Sequence, residues 1–223
     1  MTIRSTIRVQ LISPAIGPAL RAARFGDLPE DGPGAATRAV DATGVRQAEA
    51  VREEFPHGAA VYVSSAPRCR TTAGLLGLDA RPVPEIAPWD MGRWQGRTLD
   101  EVAAAEPAQV SAWLADPSAA PHGGETLLAL YARVGRWLET LSPETPRVIA
   151  VAEPEIVRAA ALHALSAPAA AFWRFDVRPL TVTEFTGRDG RWNLLAGRPL
   201  TGADEDADAD EGTDEGSDKD GDD

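Results

Sequence analysis

Nucleophilic and metal-assisted catalysis draw on few side-chain types, and this chain is poor in them. Its 223 residues hold three histidines, His57, His122 and His163, and one cysteine, Cys69. The histidines are spaced too widely for a short metal motif. A single cysteine excludes a disulfide framework and a thiolate zinc cluster. The sequence therefore calls for no metal and no cofactor. Cys69 lies between Arg68 and Arg70 at an expected helix start, a setting that can lower a thiol pKa. A small packed cysteine is the plainer reading of the same position. His163, between Leu162 and Leu165, reads as a core histidine, and His57, after Pro56, as a solvated turn residue. The densest acidic cluster only partly fits a calcium loop. Asp206, Asp208 and Asp210 fit its first three ligand positions, but Glu211 stands where the loop needs Gly and Ser217 where it needs a bidentate Glu.

That cluster belongs to a stretch, residues 201–223, with twelve acidic side chains and one lysine, so it carries −11 of the chain's formal charge of −12. Before it stand 22 acidic and 21 basic residues, every basic one an arginine. A nearly neutral body argues against a nucleic-acid surface, which would show a basic excess. The stretch has no apolar residue larger than Ala, which predicts a disordered, solubilising tail. The expected organisation is one domain over residues 1–200 followed by this acidic tail. No apolar run is long enough for a membrane span, and the first residues lack an apolar signal core. The expected compartment is the cytoplasm.

The elements that must position any site alternate along the body. Strands are predicted over 7–12, 60–64 and 147–152, with closing strands over 180–185 and 191–195 joined by the turn Gly187–Gly190. Helices are predicted over 41–55, 68–76, 99–114 (broken near Pro107), 125–141 and 155–165. Short apolar strands alternating with helices imply an α/β fold of three layers, a mainly parallel central sheet with helices on both faces.

Six stretches in this order carry a resemblance. They are Gly44-Val-Arg-Gln-Ala48, Val63-Ser-Ser-Ala-Pro-Arg-Cys-Arg-Thr-Thr-Ala73, Asp90-Met-Gly-Arg-Trp-Gln-Gly-Arg-Thr98, Trp113 to Thr126 ending in Gly-Gly-Glu-Thr, Val148 to Arg158, and the first strand Val9 to Ser13. Together they resemble the histidine phosphatase superfamily, the phosphoglycerate-mutase-like fold. The resemblance implies a histidine nucleophile at the end of the first strand, arginines that neutralise the phosphoryl oxygens, a second histidine, and an acid that protonates the leaving oxygen.

Laid on that pattern, the motif arginine falls on Ser13, the nucleophile on Pro14 and its glycine on Ala15. The acid falls on Pro88, the second histidine on Glu153 and its glycine on Pro154. The arginine of the second segment stays, as Arg68, and Arg158 is a further donor. Proline has neither an ionisable group nor an N–H, and Glu153 sets a carboxylate where the family binds a dianion. The resemblance thus implies a pseudoenzyme, a non-catalytic binding or regulatory protein. Its degenerate site would comprise Ser13, Pro14, Arg68, Pro88, Glu153 and Arg158, with a small molecule or a protein as partner. Two alternatives stand beside it. One is different chemistry in the same pocket, using Glu153 with Arg68, or Cys69. The other is a phosphatase with relocated groups, in which His122 of His122-Gly-Gly-Glu-Thr126 replaces the nucleophile and Glu85 the acid.

Overall fold

The computed structural model of the chain describes residues 6–27, 39–51, 55–188 and 190–200. The tail expected to be disordered lies outside the described residues. Strand β1 (Ile7–Ile12) occupies the middle of a six-stranded sheet with β2 (Ala60–Val63), β3 (Arg81–Pro82), β4 (Arg147–Val151), β5 (Thr181–Arg188) and β6 (Arg191–Pro199). The order is β3-β2-β4-β1-β5-β6. Strands β1 to β4 run parallel, with Val9 opposite Val148, and β5 returns antiparallel with Phe185 opposite Val9.

Side chains alternate across a strand, so β1 and β4 feed both faces. Val9, Leu11, Val148 and Ala150 enter one core with the longest helices, while Ile12, Ile149 and Val151 enter the other. The first face is covered by α6 (Leu127–Thr140) and α7 (Pro154–Ala164), the second by α2 (Ala42–Ala50) and α3 (Pro67–Leu75). The chain is thus the expected three-layer α/β fold. A short α1 (Pro18–Arg21) follows β1, and Pro107 divides the helical stretch into α4 (Leu99–Ala105) and α5 (Pro107–Ala115).

Caps fix the helix starts. Thr98 and Glu101 exchange side-chain and backbone bonds of 3.2 and 2.8 Å in a capping box at α4. Thr126 accepts from the Ala129 N–H at α6, and Asp41 from that of Gly44 at α2. Helices α3 and α7 instead begin with prolines, Pro67 and Pro154, directly after β2 and β4. Proline is preformed for a first helical turn and lacks the N–H that would be left orphaned there.

Candidate functional site

The carboxyl ends of three strands arrive at one level. The Ser64 N–H donates to the Val151 carbonyl (2.9 Å), and the Ala152 N–H to that of Ile12 (3.0 Å). The residues that follow β1, β2 and β4 are therefore neighbours, at the sheet edge where α/β folds place ligands. A cavity of about 780 Å³ opens there, within the range that holds small-molecule ligands. Arg68, Pro88, Glu153 and Arg158 all line it.

Ser13 and Pro14 are close by in the chain but outside this lining. Ser13 is 1% exposed. Its N–H donates to Thr181 and its carbonyl accepts from Leu180, so the strand end is bound into the sheet rather than turned toward the cavity. Pro14 is buried beside it, and the Ala15 N–H donates to Thr72 Oγ1 at 3.0 Å. The structure thus brings four of the six expected site residues onto the cavity and leaves two behind its wall.

The centre of the lining is an internal ion pair. The Arg68 guanidinium donates to Glu153 Oε2, and both side chains are 7% exposed. Asp27 accepts from the Arg68 backbone N–H at 2.9 Å and lies 3.9 Å from its Nε. Burial works against the guanidinium, but the carboxylates, Glu153 first, outweigh it and hold its pKa above the ordinary value. Beside it, Cys69 is fully buried and its Sγ stands 3.5 Å from Glu153 Oε1. Burial, reinforced by the Glu153 carboxylate, pushes the thiol well up. The position is thus that of the small packed cysteine rather than an activated thiol: Arg68 acts to lower the thiol pKa, but burial outweighs it. Arg158 pairs with Asp176 at 3.3 Å and lies over the Phe172 ring, 5.6 Å from its centre.

Two features of the cavity escaped the sequence reading. Glu155, half-buried on the first turn of α7, has its carboxyl pushed up to about 7, mainly by burial and then by the neighbouring charge of Glu153. The Glu153-Pro-Glu155 spacing was visible, but only the helix start shows that both carboxylates face one cavity. The second is an aromatic wall. Trp89, Trp113, Phe172 and Trp173 line the cavity and stack among themselves, with Trp113 and Trp173 centres 4.6 Å apart. The loop carrying Pro88 and Trp89 is held by Arg133, which donates to the carbonyls of Glu85 (2.8 Å) and Ala87 (3.1 Å) while paired to Glu125. The Glu85 side chain is exposed and is not part of the lining.

The histidines lie elsewhere. His122 is 1% exposed, packed against Trp94 and Trp89, and its Nδ1 accepts from the Gly124 N–H at 3.0 Å. Burial lowers its pKa. His163 is a correction: it is partly exposed and meets Glu139 at 2.9 Å instead of sitting in the core. His57 is exposed in a turn, as expected. Among the described residues, no histidine lines the cavity, and no group of three or more His, Cys, Asp or Glu is arranged to hold a metal. No helix among them is long and apolar enough to cross a membrane.

Comparison with known proteins agrees with this architecture. The alpha-ribazole phosphatase from Shigella flexneri superposes with a TM-score of 0.73 at 21% identity, over 87% of this chain and 98% of that one. A mycobacterial glucosyl-3-phosphoglycerate phosphatase gives 0.70 at 21% identity, over 87% and 99%. A protein of Mycobacterium tuberculosis described as bifunctional is 29% identical over 119 residues, 52% of this chain; the chain spans about a third of that relative's length, 33%. Residues 38–197 match the histidine phosphatase superfamily (branch 1). That match begins after Ser13 and Pro14 and runs from α2 into β6, through Arg68, Pro88, Glu153 and Arg158. The chain belongs to the histidine phosphatase superfamily.

Proposed function

We propose that this protein is a non-catalytic binding or regulatory member of its superfamily, and that the cavity holds a neutral or zwitterionic molecule, or a basic group of a partner, rather than a phosphate ester. The observation that carries the reading is the Arg68–Glu153 pair. The arginine that the family resemblance assigns to phosphate already has an internal carboxylate on it. A phosphoryl dianion would have to displace that carboxylate and then sit beside it, and like charges at such range repel. Pro14 and Pro88, at the family positions of nucleophile and acid, can neither attack phosphorus nor protonate a leaving group.

The test is hydrolysis of p-nitrophenyl phosphate by the full chain, expected at background. The groups of such a site act as a unit, so restoring one alone recovers little. The informative variant combines Ser13→Arg, Pro14→His, Ala15→Gly, Pro88→Glu, Glu153→His and Pro154→Gly; turnover there, with none in the parent, supports the reading. Turnover by the parent that His122→Ala abolishes would overturn it. A thermal-shift screen of zwitterionic and cationic aromatic compounds should yield ligands, and Glu153→Gln should weaken them.

A second reading rests on Glu155. A carboxyl titrating near neutrality in a cavity is suited to general acid–base chemistry. An activity with a pH midpoint near 7 that Glu155→Gln removes would favour this reading over a purely binding role.

A further inference from the structure

The carboxyl groups of the cavity are not equally engaged. Four line it, Asp27, Glu153, Glu155 and Asp176. Arg68 serves Glu153 and, more loosely, Asp27. Arg158 serves Asp176 at 3.3 Å. Glu155 makes neither an ion pair nor a hydrogen bond with another side chain among the described residues. It stands half-buried on the first turn of α7, next to a carboxylate that already holds the nearest internal cation. A further cation for Glu155 has to arrive through the cavity.

The groups around Glu155 make it an acid that can exchange its proton for such a cation. Glu153 opposes its charge, while Arg68 of α3 and Arg158 of its own helix favour it. Cys69 of α3 is neutral, its thiol pushed well up. Arg24, Arg70 and Arg178 complete the charged lining. Burial outweighs the arginines, so the carboxyl rises to about 7 and keeps its proton about half the time at neutral pH. When an ammonium enters, the O–H gives its proton to solvent and the carboxylate faces the ammonium, so the charge of the cavity is unchanged. The wall suits the body of such a cation. Trp89, Trp113 and Trp173 line the same cavity, Trp173 partly exposed, and indole faces attract cations more strongly than other rings. The wall already holds one internal cation in this way: the Arg158 guanidinium lies over Phe172 with Asp176 as its counter-ion.

We propose that the cavity binds the protonated amine of a small molecule with an aromatic or apolar body, with the Glu155 carboxylate as its counter-ion and Trp173 against its body. This rests on the proposed binding role and names the ligand class of that site.

The test is calorimetric titration of the full chain with phenethylamine, phenethyl alcohol and 3-phenylpropionate, which share a body and differ in charge. The amine should bind about tenfold more tightly than the alcohol. Titrations in two buffers of different ionisation heat should show close to one proton released per amine at about pH 6, and almost none at about pH 9, where Glu155 is already ionised. Glu155→Gln should weaken the amine about tenfold, abolish the proton release and leave the alcohol unchanged. Trp173→Leu should weaken the amine about threefold. Glu144→Gln, exposed beyond the opposite end of β4, should change nothing; a loss there equal to that of Glu155→Gln overturns the proposal. Equal binding of amine and alcohol, or amine binding without proton release, overturns it too and leaves the binding role intact. Tighter binding of 3-phenylpropionate overturns both. If none of the three binds at about 10 mM, the proposal fails, while the binding role is still decided by phosphate-ester turnover.

Discussion

Arg68 and Glu153 are each other's solution to burial. Taking either charge out of water is expensive, and removing one partner leaves the other uncompensated. Glu153→Ala is expected to lower stability by about 3–5 kcal/mol in urea unfolding. Arg68→Met with Glu153→Leu should lose far less, because an apolar pair has no charge to strand. If the double variant is as unstable as the single, the pair is not what holds the cavity floor. Glu155 gives a pH test. Its carboxyl is raised from 4.5 to about 7, so the folded state binds the proton more tightly than the unfolded one. That stabilisation is complete below pH 4.5 and is lost as pH rises through 7. Glu155→Gln should therefore flatten the fall in unfolding free energy between those limits; an unchanged slope would place the proton elsewhere. Cys69 offers a simpler measurement: a thiol reagent should label the native protein no faster than it unfolds, since the side chain is fully buried.

Most elements were legible because their ends are chemically marked. Strand β1 runs over Ile7–Ile12 as read, since its apolar residues serve the two faces of a central strand. The break between α4 and α5 sits at Pro107, which cannot donate into a continuing helix. The two-residue β3, with both residues exposed, has no apolar pattern to read. Strands β5 and β6 run on to Arg188 and Pro199, past the predicted ends, because partner pairing and not composition sets their length. Of the site, Arg68, Pro88, Glu153 and Arg158 were legible from motif spacing, whereas Glu155 and the aromatic wall depend on which way α7 and the Pro88 loop face. His163 was misread for a related reason. Its neighbours in sequence are apolar, but its own direction carries it to the seam between α6 and α7. There an added Cβ on Gly135 would stand 2.5 Å from His163 Nδ1. Gly135→Ala gains helix propensity, up to about 1 kcal/mol, yet should still destabilise by about 1–3 kcal/mol, because the ring is pinned by Glu139. A rise in melting temperature would show that the ring swings aside freely.

At the scale of the molecule, charge is separated by region. The body is close to neutral while residues 201–223 are intensely acidic. The cavity is itself composite: α3 supplies Arg68, the cap of α7 supplies Glu153, α7 itself Glu155 and Arg158, α5 supplies Trp113, and the loops between α3 and α4 and between α7 and β5 supply the rest of the aromatic wall. No single helix or hairpin contains it. Its shape is therefore set by the sheet that brings these pieces together.

The order of that sheet has a consequence for how the chain is made. Val9 finds its partners in Val148 on one side and Phe185 on the other. At about 5–20 residues per second, roughly 10–35 s of synthesis separate the first of these residues from the last. Until β4 emerges the central strand has neither neighbour, and until β5 emerges it still lacks one of the two. Contacts this distant in sequence also slow the search once the chain is free. Stalled nascent chains should remain protease-sensitive until β5 has left the ribosome, then become resistant in one step. Early resistance with only β1 and β2 emerged would mean that a smaller unit folds first.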